Sequence, residues 1–157
     1  MIKKKMVFLP VIFMLFILPM DLFSQQMTRT QRQNMYVNFL RSEGFQPIVN
    51  ADGFVDFMYE GGNYFIWVED NDTGYFYMEY PSFYRLETRS ERINAAAAAP
   101  TINRSIRIVK VWLTSDDSNV SISTELYVPN PSDFSLFFYK LLNLMVTARN
   151  DFMDEMN

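Results

Sequence analysis

Turn signals recur about every eight residues between positions 45 and 80, a spacing that leaves no room for a helix there. Asp52-Gly53 and Gly61-Gly62 are tight-turn pairs, and Asp70-Asn71-Asp72-Thr73-Gly74 is a polar loop. The segments between them, 45–49, 54–60, 63–69 and 75–80, are rich in aromatic and β-branched residues and read as strands of an antiparallel meander. Pro47 keeps the first short, and Pro81 is expected to end the last.

Helical patterns flank this meander. Thr28 and Gln31 have capping-box spacing, and Met35, Tyr36, Phe39 and Leu40 share one side of a helix over 29–42 that Gly44 stops. Residues 86–99, with the alanine run from Ala95 to Ala99, predict a second helix that packs closely on the sheet and ends at Pro100. A hairpin follows over 105–114 and 120–128, turning at Ser115-Asp116-Asp117-Ser118. Its first strand carries Ile106, Ile108 and Trp112 on one face and Val109, Val111 and Leu113 on the other, which places it centrally and covered on both sides. The second alternates Val120, Ile122, Leu126 and Val128 with Ser121, Ser123, Glu125 and Tyr127, giving one apolar and one mixed face.

Pro129 and Pro131 stop that strand, and Ser132 caps a long helix over 133–156. Within it Phe134, Phe137, Phe138, Leu141, Leu144, Met145, Ala148 and Phe152 fall in an arc of ~120°, so this helix fills the core. The expected fold class is α+β, an antiparallel sheet of meander plus hairpin packed by helices in the order α-β-β-β-β-α-β-β-α.

Lys3, Lys4 and Lys5 precede an apolar run from Met6 to Met20, and Ser24 offers a small residue before Gln25, the layout of a secretory signal peptide. The run is shorter than the ~20 residues of a spanning helix and contains Pro10 and Pro19. The expectation is a signal peptide over 1–24, with a retained membrane anchor as the alternative, a single domain over 25–157 with no membrane span once the signal peptide is removed, and a place in the periplasm or cell envelope of a bacterium. Cleavage would shift the net charge from −4 to −6. With the remaining arginines scattered and no basic stripe, nucleic acid is a poor partner.

The chain has no cysteine and no histidine. Disulfides, thiol nucleophiles, Ser/His relays, Cys/His zinc sites and imidazole haem ligands are therefore excluded, and no cofactor motif is present. Carboxylate, lysine, tyrosine and serine chemistry remains. Glu69, Asp70, Asp72 and Gly74 resemble the opening of a calcium loop, but Pro81 stands at the twelfth position from Asp70, where a bidentate acid belongs, so the segment reads as a solvated turn. Glu87 and Glu91 lie one helical turn apart among Arg85, Arg89 and Arg92, the pattern of surface ion pairing. The glycosylation triplets at Asn71, Asn103 and Asn119 carry no weight by themselves.

The opening helix ending in Gly44, the strand pair around Asp52-Gly53, the helix containing Glu91-Arg92-Ile93-Asn94, and the hairpin from Val109 to Val128 feeding the last helix together resemble the YbjN family and the similar type III secretion chaperone-like fold. The resemblance implies polypeptide binding or pairing through sheet and helices, with no active site to carry over. Secretion chaperones work in the cytoplasm, so an exported chain could share the fold without sharing their substrates.

Tyr59, Trp67, Tyr75 and Tyr77 are candidates for an aromatic surface on the sheet, suited to a polypeptide, glycan or apolar ligand. Tyr139, Leu142, Val146 and Met153 form a second apolar stripe on the last helix, read as a helix sunk deep between its own domain's elements or, alternatively, as a face for a partner helix. The two sets together suggest a homodimer or a polypeptide partner. The sequence thus points to an exported, non-enzymatic protein-binding or chaperone-like domain acting through an apolar or aromatic surface. The alternatives are a small exported carboxylate hydrolase, which needs two convergent buried acids in a pocket, and a structural subunit of an envelope assembly.

Overall fold

The computed structural model describes residues 27–157, so the signal peptide expected over 1–24 lies outside them. The first helix, α1 (Arg29–Ser42), starts where the capping box places it: the Gln31 N–H donates to Thr28 Oγ1 at 3.2 Å and the Thr28 N–H to Gln31 Oε1 at 2.8 Å. Next come β1 (Ile48–Val49), β2 (Val55–Tyr59), β3 (Gly62–Trp67), β4 (Tyr75–Arg85), α2 (Arg89–Ser105), β5 (Val109–Leu113) and β6 (Asn119–Tyr127). A 3-10 turn at Pro131–Leu136 leads into α3 (Phe138–Met156). The fold is α+β, with one antiparallel six-stranded sheet in the order β1-β2-β3-β4-β6-β5.

Strand register sorts the side chains into two faces. Phe57 sits opposite Tyr64, Val55 opposite Ile66, Ile66 opposite Met78, and Val111 opposite Ile122, all of them buried. The helices cover this face. Phe138 of α3 meets Phe57 at 5.7 Å between ring centroids, Tyr36 of α1 meets Phe76 at 6.0 Å, and Ala95, Ala98 and Ala99 of α2 are buried as their small size allows. The β2–β3 turn is centred on Glu60 and Gly61, both at positive φ, one residue earlier than the Gly61-Gly62 pair suggests. Gly62 serves packing instead, because a Cβ there would stand 2.7 Å from the Tyr80 ring.

Several boundaries differ from the sequence reading. Pro81 does not end β4. The strand runs to Arg85 across a bulge between Tyr80 and Tyr84, where Ser82 adopts φ 48° and its N–H donates to Ser121 Oγ at 3.0 Å, so the proline needs no place in the ladder. Pro100 does not end α2 either. Ala96, whose carbonyl loses its donor, and Pro100 both face solvent, while Ile102 beyond them is buried and holds the last turns in place. The helix begins at Arg89 rather than Leu86, because Thr88 and Glu91 close a capping box.

The expected central strand, β5, is an edge strand, and β6 is the inner one. Its exposed edge is partly closed from α2: Asn103 Nδ2 donates to the Val111 carbonyl at 2.9 Å, and the Val111 N–H donates to Asn103 Oδ1 at 2.7 Å. Phe137, expected in the core, is exposed, since the 3-10 turn resets the helical phase so that Phe138 points inward. Among the described residues no helix is long and apolar enough to cross a membrane.

Candidate functional site

The second face of the sheet carries no helix. Register places Trp67 opposite Tyr77 and Tyr77 opposite Glu125 in one row, with Phe65, Glu79 and Ser123 in the next and Tyr75 opposite Tyr127 on the other side. Ile108 and Trp112, beside and on β5, extend the apolar surface, and Met58 and Ile48 continue it across β2 and β1. Trp67 is 41% exposed and Tyr127 is 67% exposed. Such a run of uncovered apolar side chains is larger than isolated surface residues produce.

The rings are held by one another and by the strands. Phe54 stacks on Phe65 at 5.1 Å, Trp67 meets Tyr77 edge to face at 5.8 Å, and Tyr75 stacks on Tyr77 at 6.2 Å. Tyr127 lies over Gly74, where a Cβ would come within 2.6 Å of its ring, so that glycine is what lets the ring settle on the backbone.

Carboxylates are threaded among these rings. The Tyr77 hydroxyl donates to Glu79 Oε2 at 2.6 Å, and the Tyr75 hydroxyl donates to Glu125 Oε2 at 2.6 Å. Lys110 pairs with the other oxygen of Glu125. Asp56 accepts from Asn50 Nδ2 at 3.1 and 3.2 Å. Burial pushes the Glu79 carboxyl above its ordinary value, and hydrogen bonds from Tyr77 and Ser121 pull it only partly back. Tyr77 is raised by burial and then by its bond to Glu79, while Tyr75 is raised by burial and by the charges of Glu69 and Asp72. A shallow cavity of ≈ 230 Å³ opens on the same side at the β1–β2 edge, lined by Gln46, Ile48, Asp56, Phe57, Met58 and Asn63.

The eight residues singled out in the sequence divide by location. Trp67, Tyr75 and Tyr77 come together on the open face. Tyr59 does not join them. It lies on the helix-covered face, half-buried between Phe45 and Tyr64. Tyr139 packs on the same Phe45 and donates to Glu43 Oε2 at 2.9 Å. Leu142 is 0% exposed inside its own domain and Val146 is half-buried, leaving Met153 and Tyr139 as the open members of the stripe. The helix therefore offers no continuous apolar seam to a second copy.

The calcium-like loop is held by arginines. Arg32, 1% exposed, donates from Nη1 to the Asp72 carbonyl at 2.8 Å and from Nη2 to the Glu69 carbonyl, and Arg29 pairs with Asp70 at 3.3 Å. Asp72 Oδ1 accepts from the N–H groups of Gly74 and Tyr75. Among the described residues no group of acids is arranged to hold a metal ion. Glu91 is not an ion-pairing residue but a cap, its Oε2 accepting from the N–H groups of Glu87 and Thr88 at 2.8 Å each. Asp116 is a turn residue whose bonds from Thr114 and Ser118 lower its carboxyl to about 2.

Sequence reasoning missed Phe65, Glu79, Tyr127 and Lys110 as parts of this face. The signal was present in the period of two: stepping back from Trp67 reaches Phe65, and stepping on from Tyr77 reaches Glu79. No protein-family model matches the chain, and no curated protein matches it. A crystal structure of an uncharacterized protein from Methanothermobacter thermautotrophicus is similar in fold, with a TM-score of 0.50 and 10% identity over 80% of this chain and 96% of that one. That likeness concerns the fold alone.

Proposed function

We propose that this is an exported, non-enzymatic binding domain that holds a polypeptide against the open face of its sheet, in a protein-binding or chaperone-like role. The observation that carries the reading is that α1, α2 and α3 cover one face while Trp67, Tyr127, Ile108 and Trp112 stay exposed on the other. Apolar area of this kind gains free energy when a partner removes it from water, at roughly 25 cal/mol per Å² before the costs of association. The layout of Lys3 to Ser24 supports export, and the element order keeps the likeness to the YbjN family within the proposal.

The hydrolase reading has one observation in its favour, since Glu79 and Glu125 lie on neighbouring strands of the same face. Against it, each carboxylate accepts from a tyrosine, Glu125 also pairs with Lys110, and the cavity lies elsewhere, toward Asp56.

A photo-crosslinking side chain at position 67 of the full chain should capture polypeptide in the host, whereas the same group at position 153 on α3 should not. Equal capture at both positions, or capture only at 153, would contradict the reading.

A further inference from the structure

Glu79 is the one buried acid among the described residues, at 8% exposure. An anion withdrawn from water is costly unless a cation or several donors compensate it. The partners of Glu79 are the neutral hydroxyls of Tyr77 and Ser121. The ion pairs of the described residues lie elsewhere: Lys110 goes to Glu125, Arg29 to Asp70 and Arg149 to Glu60. Beside Glu79 in its row stand Phe65 and Ser123, neither of them cationic, and Lys110 beyond Ser123 is engaged by Glu125.

We propose that the open face takes a cationic polypeptide segment, with a guanidinium or ammonium group seated at Glu79 against the rings of Tyr77 and Trp67. This rests on the binding-face reading above and names the partner's chemistry. The Trp67 and Tyr77 rings stand perpendicular at 5.8 Å, forming a corner rather than a flat stack, and aromatic rings attract cations through their quadrupoles. Glu79, Glu125 and Asp56 give this face three acids against Lys110 and Arg85, the latter placed there by its register with Asn119, and the whole chain carries −4. An acid excess of that sign favours a basic segment over a second copy, which carries the same excess.

The test uses the full chain and three flexible peptides in which leucine alternates with arginine, glutamine or glutamate, read by tryptophan fluorescence. The arginine peptide should bind about tenfold tighter than the glutamine peptide, and the glutamate peptide should not bind. Glu79→Gln should erase that tenfold margin, while the charge-matched Glu155→Gln on exposed α3 surface should preserve it. Equal binding of arginine and glutamine peptides would overturn the cationic partner and leave the binding face standing. Failure of all three peptides would overturn both. Equal weakening by Glu79→Gln and Glu155→Gln would show a diffuse field and overturn the role of Glu79.

Discussion

The hydroxyl of Tyr77 donates to the carboxylate of Glu79 at 2.6 Å, two residues along β4 and on the face that none of the three helices covers. Neutral hydroxyl donors, this one and Ser121, do not offset burial, which is why the Glu79 carboxyl is raised above its ordinary value.

The consequence for stability has a definite sign. A carboxyl raised in the folded state holds its proton more tightly there than in the unfolded chain, so its contribution is fully present below about pH 4.5 and is lost as pH rises through the folded value. Glu79→Gln should therefore be more stable than the parent at pH 7, with the difference shrinking by pH 4. Urea unfolding of both proteins at the two pH values checks this. A variant less stable at pH 7 would show that the carboxylate is compensated by a contact beyond Tyr77 and Ser121.

Leu141→Ala on α3 should cost ~2–5 kcal/mol, because the side chain is buried and its removal leaves a cavity against the sheet. Leu142→Glu should unfold the domain rather than split a dimer, since it would force a carboxylate into the same core. Circular dichroism and sedimentation of the Leu142→Glu protein distinguish the two; a folded monomer obtained from a dimeric parent would restore the helix seam.

Asn103→Ala should expose the N–H and carbonyl of Val111 on the edge of β5. An unpaired edge recruits other strands, so the variant should self-associate with rising concentration where the parent does not. Light scattering over a dilution series measures it. The same two bonds occupy the side-chain amide of Asn103, which makes the Asn103 triplet a poor glycosylation acceptor.

Pro100→Ala should stabilise the chain by ~1–3 kcal/mol, because the helix already continues through position 100 without the donor that proline lacks. Thermal unfolding checks the gain. No change would mean that the proline's restriction of the unfolded chain offsets the helical hydrogen bond it forgoes.

Much of the architecture could be read from local chemistry. The capping box at Thr28 and the stop at Gly44 bounded α1 at Arg29 and Ser42, and the turn pairs laid out the meander. What local patterns could not give was position within the sheet. Val109, Val111 and Trp112 predict covered neighbours on both faces, yet β5 lies at the edge because α2 feeds it from outside and β6 pairs inward with β4. The prolines misled for a related reason. Pro81 and Pro100 break a ladder in isolation, but a bulge bonded to Ser121 and the buried Ile102 override them. Of the candidate site, Trp67, Tyr75 and Tyr77 were legible from alternation, whereas the place of Glu79 beside them, buried on an uncovered face, depends on which face the helices leave bare.

The most direct measurement is an amide chemical-shift map of the isotopically labelled protein titrated with the leucine–arginine peptide. Shifts should concentrate at Phe65 to Trp67, Tyr75 to Glu79 and Ser123 to Tyr127, the strands that carry the open face. Shifts confined to α3, or none at saturating peptide, would contradict the assignment of that face as the working surface.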